Sequence, residues 1–181
     1  MKRSLFAVAL VALAVAPALA NPTDDVRSAM LRFAGLSSYQ MAFDSGKNSG
    51  TMEIVRPDSM RMRATGMEMV RVGNTTYMKT AGRNWMKIES ASGGAFGNEI
   101  ASKVRSLATT AKGITVSDLG MKSADGQMMH AYHVKQNDGA ESTMYVAGDG
   151  FIHRMDSAEH GSHQTVRFSR FNAVPAIRAP I

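Results

Sequence analysis

The chain has 181 residues, among them 15 methionines and no cysteine, and carries a formal net charge of +6. Absence of cysteine excludes disulfides, thiol chemistry, Cys-based metal sites and an acylated lipobox. The cationic residues are scattered, with no run of five or six and no interleaved aromatic platform, which argues against a nucleic-acid partner.

Lys2 and Arg3 precede an unbroken apolar run from Leu5 to Val15, then Pro17, Ala18-Leu19-Ala20 and Asn21. A charged head, a short apolar core and an A-x-A exit read as a secretory signal peptide over 1–20. The run is shorter than the ~20 residues that span a bilayer. The expectation is therefore an exported, periplasmic, water-soluble domain over 21–181. Removing Lys2 and Arg3 lowers its formal charge to +4, compatible with transient contact with an anionic membrane surface. The methionine content points to an adaptable core or a deformable lining, because the thioether chain has soft torsions and repacks easily.

Thr23 reads as a helix N-cap with Asp24 and Asp25 in the first turn. Val26, Met30 and Phe33 recur at helical spacing, and Gly35 stops the helix. From Ser38 the period becomes two. Strands are expected at 39–44, 51–56, 60–64, 67–72, 75–79 and 84–88, turned by Ser45–Gly50, Pro57-Asp58-Ser59, Gly66, Gly73-Asn74 and Ala81-Gly82-Arg83. A Gly/Ser/Ala loop over 90–97 then leads to a second short helix, capped by Asn98 and ended by Gly113, with Ile100, Val104 and Leu107 along one face. Strands resume at 114–119, 127–135, 142–147, 151–156 and 165–171, separated by Asp-Gly turns that tolerate positive φ. An antiparallel sheet of this size curls, closes or splits, and only two short helices are at hand to cover its apolar face. The predicted class is thus mainly β (α+β): one curved antiparallel sheet forming an unclosed barrel, with two short helices as a lid over an apolar cavity.

No G-x-S-x-G, H-E-x-x-H or phosphate-binding glycine loop is present, so the chain is read as non-catalytic and without a cofactor. A Met/His stretch, Met128-Met129-His130-Ala131-Tyr132-His133, raises Cu(I) binding, since thioether and imidazole suit that ion. In a strand, however, Met128 and His130 share one face and Met129 and His133 the other, so neither face gathers three ligands locally. His153 lies roughly 17 Å along the strand from the loop carrying His160 and His163, which read as solvated turn residues. No metal site is predicted. Arg56, at the end of an apolar strand, has a fork of donors able to pin a helix or loop carbonyl across the mouth of the sheet.

The helix, Leu36-Ser37-Ser38-Tyr39, and Gly50-Thr51-Met52-Glu53-Ile54-Val55-Arg56-Pro57-Asp58-Ser59-Met60-Arg61-Met62 resemble the periplasmic lipoprotein carrier (LolA-like) superfamily. Val70-Arg71-Val72-Gly73-Asn74-Thr75-Thr76-Tyr77-Met78 and Trp85-Met86-Lys87-Ile88 extend the likeness, which covers Thr23 to about Ile88. The superfamily takes in lipoprotein localisation factors, related mycobacterial lipoproteins and the sensor domain of an envelope-stress regulator. The resemblance implies an unclosed β-barrel with a helical lid, and places Arg56-Pro57 where the carriers have an arginine that holds the lid and serves release. This chain departs from the carriers in placing methionines and arginines where they use more aromatic residues.

The function expected is that of a monomeric periplasmic carrier for a lipid or acylated ligand, acting in outer-membrane biogenesis and exchanging cargo with a membrane-bound donor or acceptor. Its expected lining is Met41, Phe43, Met52, Ile54, Met60, Met62, Met67 and Met69, with Ile100, Val104 and Leu107 from the lid. The parity that faces inward is not set by the sequence, because a one-residue slip flips a whole strand. Two alternatives use other chemistry: an envelope interaction or sensor domain on the same sheet, and a Met/His copper handler.

Overall fold

The computed structural model describes residues 21–46, 48–89, 102, 105–106, 114–137, 139–159 and 162–181. The signal segment and the lid residues Ile100, Val104 and Leu107 lie outside them. Helix α1 (Pro22–Ala34) opens the described chain. Its cap is Asn21, not Thr23: the Asn21 side chain accepts from the Thr23 backbone N–H at 3.1 Å, with Pro22 in the first turn. Proline is favoured there because it lacks the N–H that would otherwise go unpaired. Val26, Ala29, Met30, Phe33 and Ala34 are buried, so the helix presents the stripe its spacing predicts.

Eleven strands follow: β1 (Ser38–Asp44), β2 (Ser49–Val55), β3 (Ser59–Ala64), β4 (Met67–Val72), β5 (Thr75–Thr80), β6 (Met86–Glu89), β7 (Ile114–Ala124), β8 (Gln127–Gln136), β9 (Glu141–Val146), β10 (Ile152–Glu159) and β11 (Ser162–Ser169). They form one antiparallel sheet in the order β6-β5-β4-β3-β2-β1-β11-β10-β9-β8-β7. The chain thus starts at the centre, walks to one edge, crosses to the other and returns. β6 and β7 are the open edges. β7 runs five residues past the expected end at Leu119 because a bulge at Asp118/Gly120 absorbs the irregularity, with Gly120 at φ 71°. β11 ends at Ser169, two residues short of the expected Phe171, which instead stacks on Phe151 (ring centroids 4.8 Å).

Curvature follows from what α1 touches. It packs on β7, and its C-terminal carbonyls accept hydrogen bonds from Arg56, just past β2. Six strand spacings separate β2 from β7, ~29 Å in a flat sheet, against a helix ~10–12 Å across. The sheet must curl around the helix for both contacts to exist. The central core joins α1 to Tyr39, Ile54 and Met60 from one half and to Tyr132, Val134, Met144 and Ile152 from the other.

The convex face has a separate core. There Val70, Tyr77 and Ile177 pack with Val55, Val72 and Trp85, so the C-terminal segment lies across the back of β1–β5. Backbone bonds from Asn172 N–H to Ser38 O (2.8 Å) and from Val174 N–H to Ser38 Oγ (3.2 Å) fasten it. Glu53, 7 % exposed, sits beneath it and accepts from Arg170 (2.7 Å) and Arg61 (3.4 Å). Those two guanidinium groups compensate a carboxylate that would be costly to bury alone.

Gly50 stands opposite Phe43, and a Cβ there would lie 2.5 Å from the Arg63 carbonyl oxygen and 2.6 Å from the Phe43 ring. Gly50→Ala is therefore expected to lower stability by about 1–3 kcal/mol and to shift the Phe43 ring resonances, read by urea unfolding and aromatic NMR. A stability equal to the parent's would contradict this packing.

Candidate functional site

The register settles which residues share the inner face. Met41 pairs with Met52, Met52 with Met62, Met62 with Met69, Met69 with Met78, and Met78 with Met86. Directly paired residues project to the same side, so each of β1–β6 gives one methionine to a single cross-strand row. Tyr39, Ile54 and Met60 form the adjoining row, which belongs to the core with α1. Met67 also lies on this face, paired with Ala64. All eight strand residues expected as lining thus share one parity. Phe43 differs from the rest in that its ring covers Gly50.

Burial falls from the adjoining row to the sheet edge. Met60 is buried beside α1, Met41, Met52, Met62, Met69 and Met78 are half-buried, and Met86 at the edge is 47 % exposed. At its inner end the row runs into an open apolar cleft. Met41 pairs on its other side with Phe168, and both line a recess of about 420 Å³ together with Phe33, Met144, Ile152 and Met155. Ser157 and Gln164 add polar groups to its lining.

Arg56 does what its donor fork suggested. Its guanidinium donates to the carbonyls of Ala34 (2.5 Å) and Phe33 (3.4 Å) at the C-terminus of α1, where the helix dipole favours a cation. Burial is the main influence on the pair it makes with Tyr39. It pushes the Tyr39 hydroxyl up and the Arg56 guanidinium down, while each group opposes the other's shift. An arginine remains charged throughout the physiological range. Its Nε is buried without a partner among the described residues. At the other end of α1, Tyr132 donates to Asp25 at 3.1 Å. Burial first, and the Asp25 carboxylate second, push that hydroxyl well up, so it stays a donor.

Three strand histidines face a carboxylate: His130 with Asp118 (2.7 Å), His133 with Glu141 (3.3 Å) and His153 with Asp149 (2.9 Å). His163, expected in a turn, instead lies in β11 opposite Ala158, because the strand begins at Ser162. Among the described residues no group of three or more His, Asp or Glu is placed to hold a metal ion.

Met78, Met86, Phe168, Met144 and Met155 were absent from the expected lining. One of them, Met78, was within reach of sequence reasoning. The Thr65-Gly66 and Gly73-Asn74 hairpins have two-residue loops, which fix Met62 opposite Met69 and Met69 opposite Met78. The β1–β11 pairing that delivers Phe168 joins strands far apart in sequence and leaves no local signal.

No protein-family model matches the chain, and a search of curated proteins finds no match. Among solved structures it is similar to the lipoprotein LppX of Mycobacterium tuberculosis, with 14 % identity and a TM-score of 0.65 over 86 % of this chain and 97 % of that one. It is also similar to LprF of Mycobacterium bovis, with 14 % identity and a TM-score of 0.64 over 88 % and 96 %. At such identities the likeness shows the fold alone, one shared with these two lipoproteins.

Arg56→Met is expected to free the α1 C-terminus and cost about 1.5–3 kcal/mol, as for hydrogen bonds made by charged donors. Amide hydrogen exchange reads it: protection should fall over residues 30–36 and hold in β4 and β5. Uniform loss across the sheet, or no loss in α1, would mean that the arginine does not hold the helix.

Proposed function

We propose that this chain is a non-catalytic, exported carrier that binds a lipid or acylated ligand on the inner face of its half-barrel. The observation that carries the reading is the methionine row, apolar and half-exposed, continuous with the cleft beside α1. Five strand spacings give it a length of ~24 Å, longer than the ~15 Å of hydrocarbon in one bilayer leaflet. An acyl chain laid along it leaves water at ~0.8 kcal/mol per CH₂. Methionines suit cargo of varied shape, since their side chains re-pack around it.

In this reading cleavage after Ala20 releases 21–181 into the periplasm as a monomer. Ile100, Val104 and Leu107 complete the apolar lining from a second helix, and α1, held by Arg56, acts as the gate. Loading and release take place by contact with a membrane-bound donor or acceptor, with the modest positive charge aiding transient approach to anionic headgroups. Such a mechanism needs no cofactor. No described helix is long and apolar enough to cross a membrane.

Native mass spectrometry of the protein purified from the periplasm, with solvent extraction of bound material, tests this. The expected result is a co-purifying lipid or acyl mass that is lost in Met62→Lys and Met69→Asp, while circular dichroism stays unchanged. Retention in those variants would place the ligand elsewhere. A clean mass that stays clean after incubation with membrane vesicles would reject the carrier reading and favour an envelope interaction domain on the same sheet.

A further inference from the structure

A second recess opens on the other side of α1, between that helix and the β7–β8 hairpin. It measures about 370 Å³, and its lining includes Asp25, Arg32, Met121, Met128, His130 and Tyr132. The carrier reading makes no use of it. Met121 and Met128 are 56 % and 55 % exposed, more than Met86 at the open edge, so core packing does not account for either.

The strand register brings these side chains together. Met121 stands directly opposite His130, and Met128 precedes His130 by two residues on β8, so all three project to one face. Cβ separations of ~5 Å for the cross-strand pair and ~7 Å for the next position lie within the span of flexible thioethers closing on one ion. Within β8 alone that face offers only two donors. The third comes from β7, through the register across the bulge.

His130 is held as a metal ligand is usually held. Its Nε2 lies 2.7 Å from Asp118 Oδ1, and that oxygen also accepts from the Gly120 backbone N–H at 2.6 Å. The imidazole stacks on Tyr132 (ring centroids 4.6 Å, interplanar angle 9°), which is fixed in turn by its bond to Asp25. With Nε2–H donated to the carboxylate, the neutral ring keeps the Nδ1 lone pair for another partner. A ring oriented by an outer carboxylate is the usual support of an imidazole ligand.

We propose that Met121, Met128 and His130 form a binding site for a soft monovalent ion, Cu(I), with Asp118 as a positioning residue. Two thioethers and an imidazole match the ligand preference of Cu(I) and are poor partners for hard divalent ions. Asp118 and Asp25 contribute negative charge near the ion, while the Arg32 guanidinium is directed to the Asp149 carbonyl at 3.4 Å. Binding exchanges solvent ligands for protein ones, and the metal keeps its oxidation state. The site is independent of the lipid reading and survives its failure.

The test uses Ag(I) as a redox-inert probe of similar softness, followed by methionine-methyl NMR, and Cu(I) in anaerobic competition with bicinchoninate. One equivalent of Ag(I) should shift the methyls of Met121 and Met128 and leave the remaining methionines in place. Cu(I) should bind at one ion per chain, be lost in the Met121→Leu/Met128→Leu double variant, and weaken by about 10–100-fold in Asp118→Asn. Both methionines are more than half exposed, so the leucines should leave the fold unchanged. Shifts centred on Met52, Met62 and Met69, failure to compete with the chelator, or unchanged affinity in the double variant would each overturn the proposal.

Discussion

Among the described residues, helix α1 holds the two halves of an eleven-stranded sheet together. It does so through polar bonds at its ends as well as through its apolar stripe. Tyr132 of β8 donates to Asp25 in the first turn, and Arg56, past β2, donates to the last carbonyls. These partners come from opposite halves of the sheet. Each bond ties one end of the helix to one wall, and the curl of the sheet is what makes an inner face at all. The polar contacts therefore fix geometry that hydrophobic burial, being non-directional, cannot specify.

That geometry explains where the methionines sit. Beside α1 the inner face is filled by Tyr39, Ile54 and Met60, shaped side chains in a packed core. Farther toward β6 the same face carries one methionine per strand, half-buried as far as Met78 and exposed at Met86. A β-branched or aromatic row would pack more rigidly there, whereas unbranched thioether chains keep many rotamers at little cost. The convex face has no such freedom, because Ile177 and Val174 of the C-terminal segment close it and Glu53 is locked by Arg61 and Arg170. Rigid back and soft front are two readings of the same alternating strands.

Much of this was legible in the residues. Period-two alternation and Gly, Gly-Asn and Asp-Gly turns located all eleven strands, and β4 matches its expected bounds. The hairpins also determine local register. The remainder depends on contacts distant in sequence. Pairing of β1 with β11, the return of Val174 and Ile177 across the back, and Tyr132 beneath Asp25 leave no periodic trace. The helix cap moved from Thr23 to Asn21 because Pro22 serves as the first helical residue. Arg56 was singled out because a guanidinium at the end of an apolar strand needs acceptors, and helix C-terminal carbonyls supply them.

The two sets of methionines show how neighbours decide what a thioether does. In the row from Met41 to Met86 each sulfur has other methionines beside it across the strands, so the set acts as one apolar surface. At Met121 the neighbour across the ladder is an imidazole whose proton is held by a carboxylate, Met128 shares that face two residues before it on β8, and the same atom type becomes a donor. A count of methionines cannot separate these roles. The register can, because it determines which side chains share a face, and the bulge at Asp118/Gly120 decides that Met121 meets His130 and that the Asp118 carboxylate reaches the same ring.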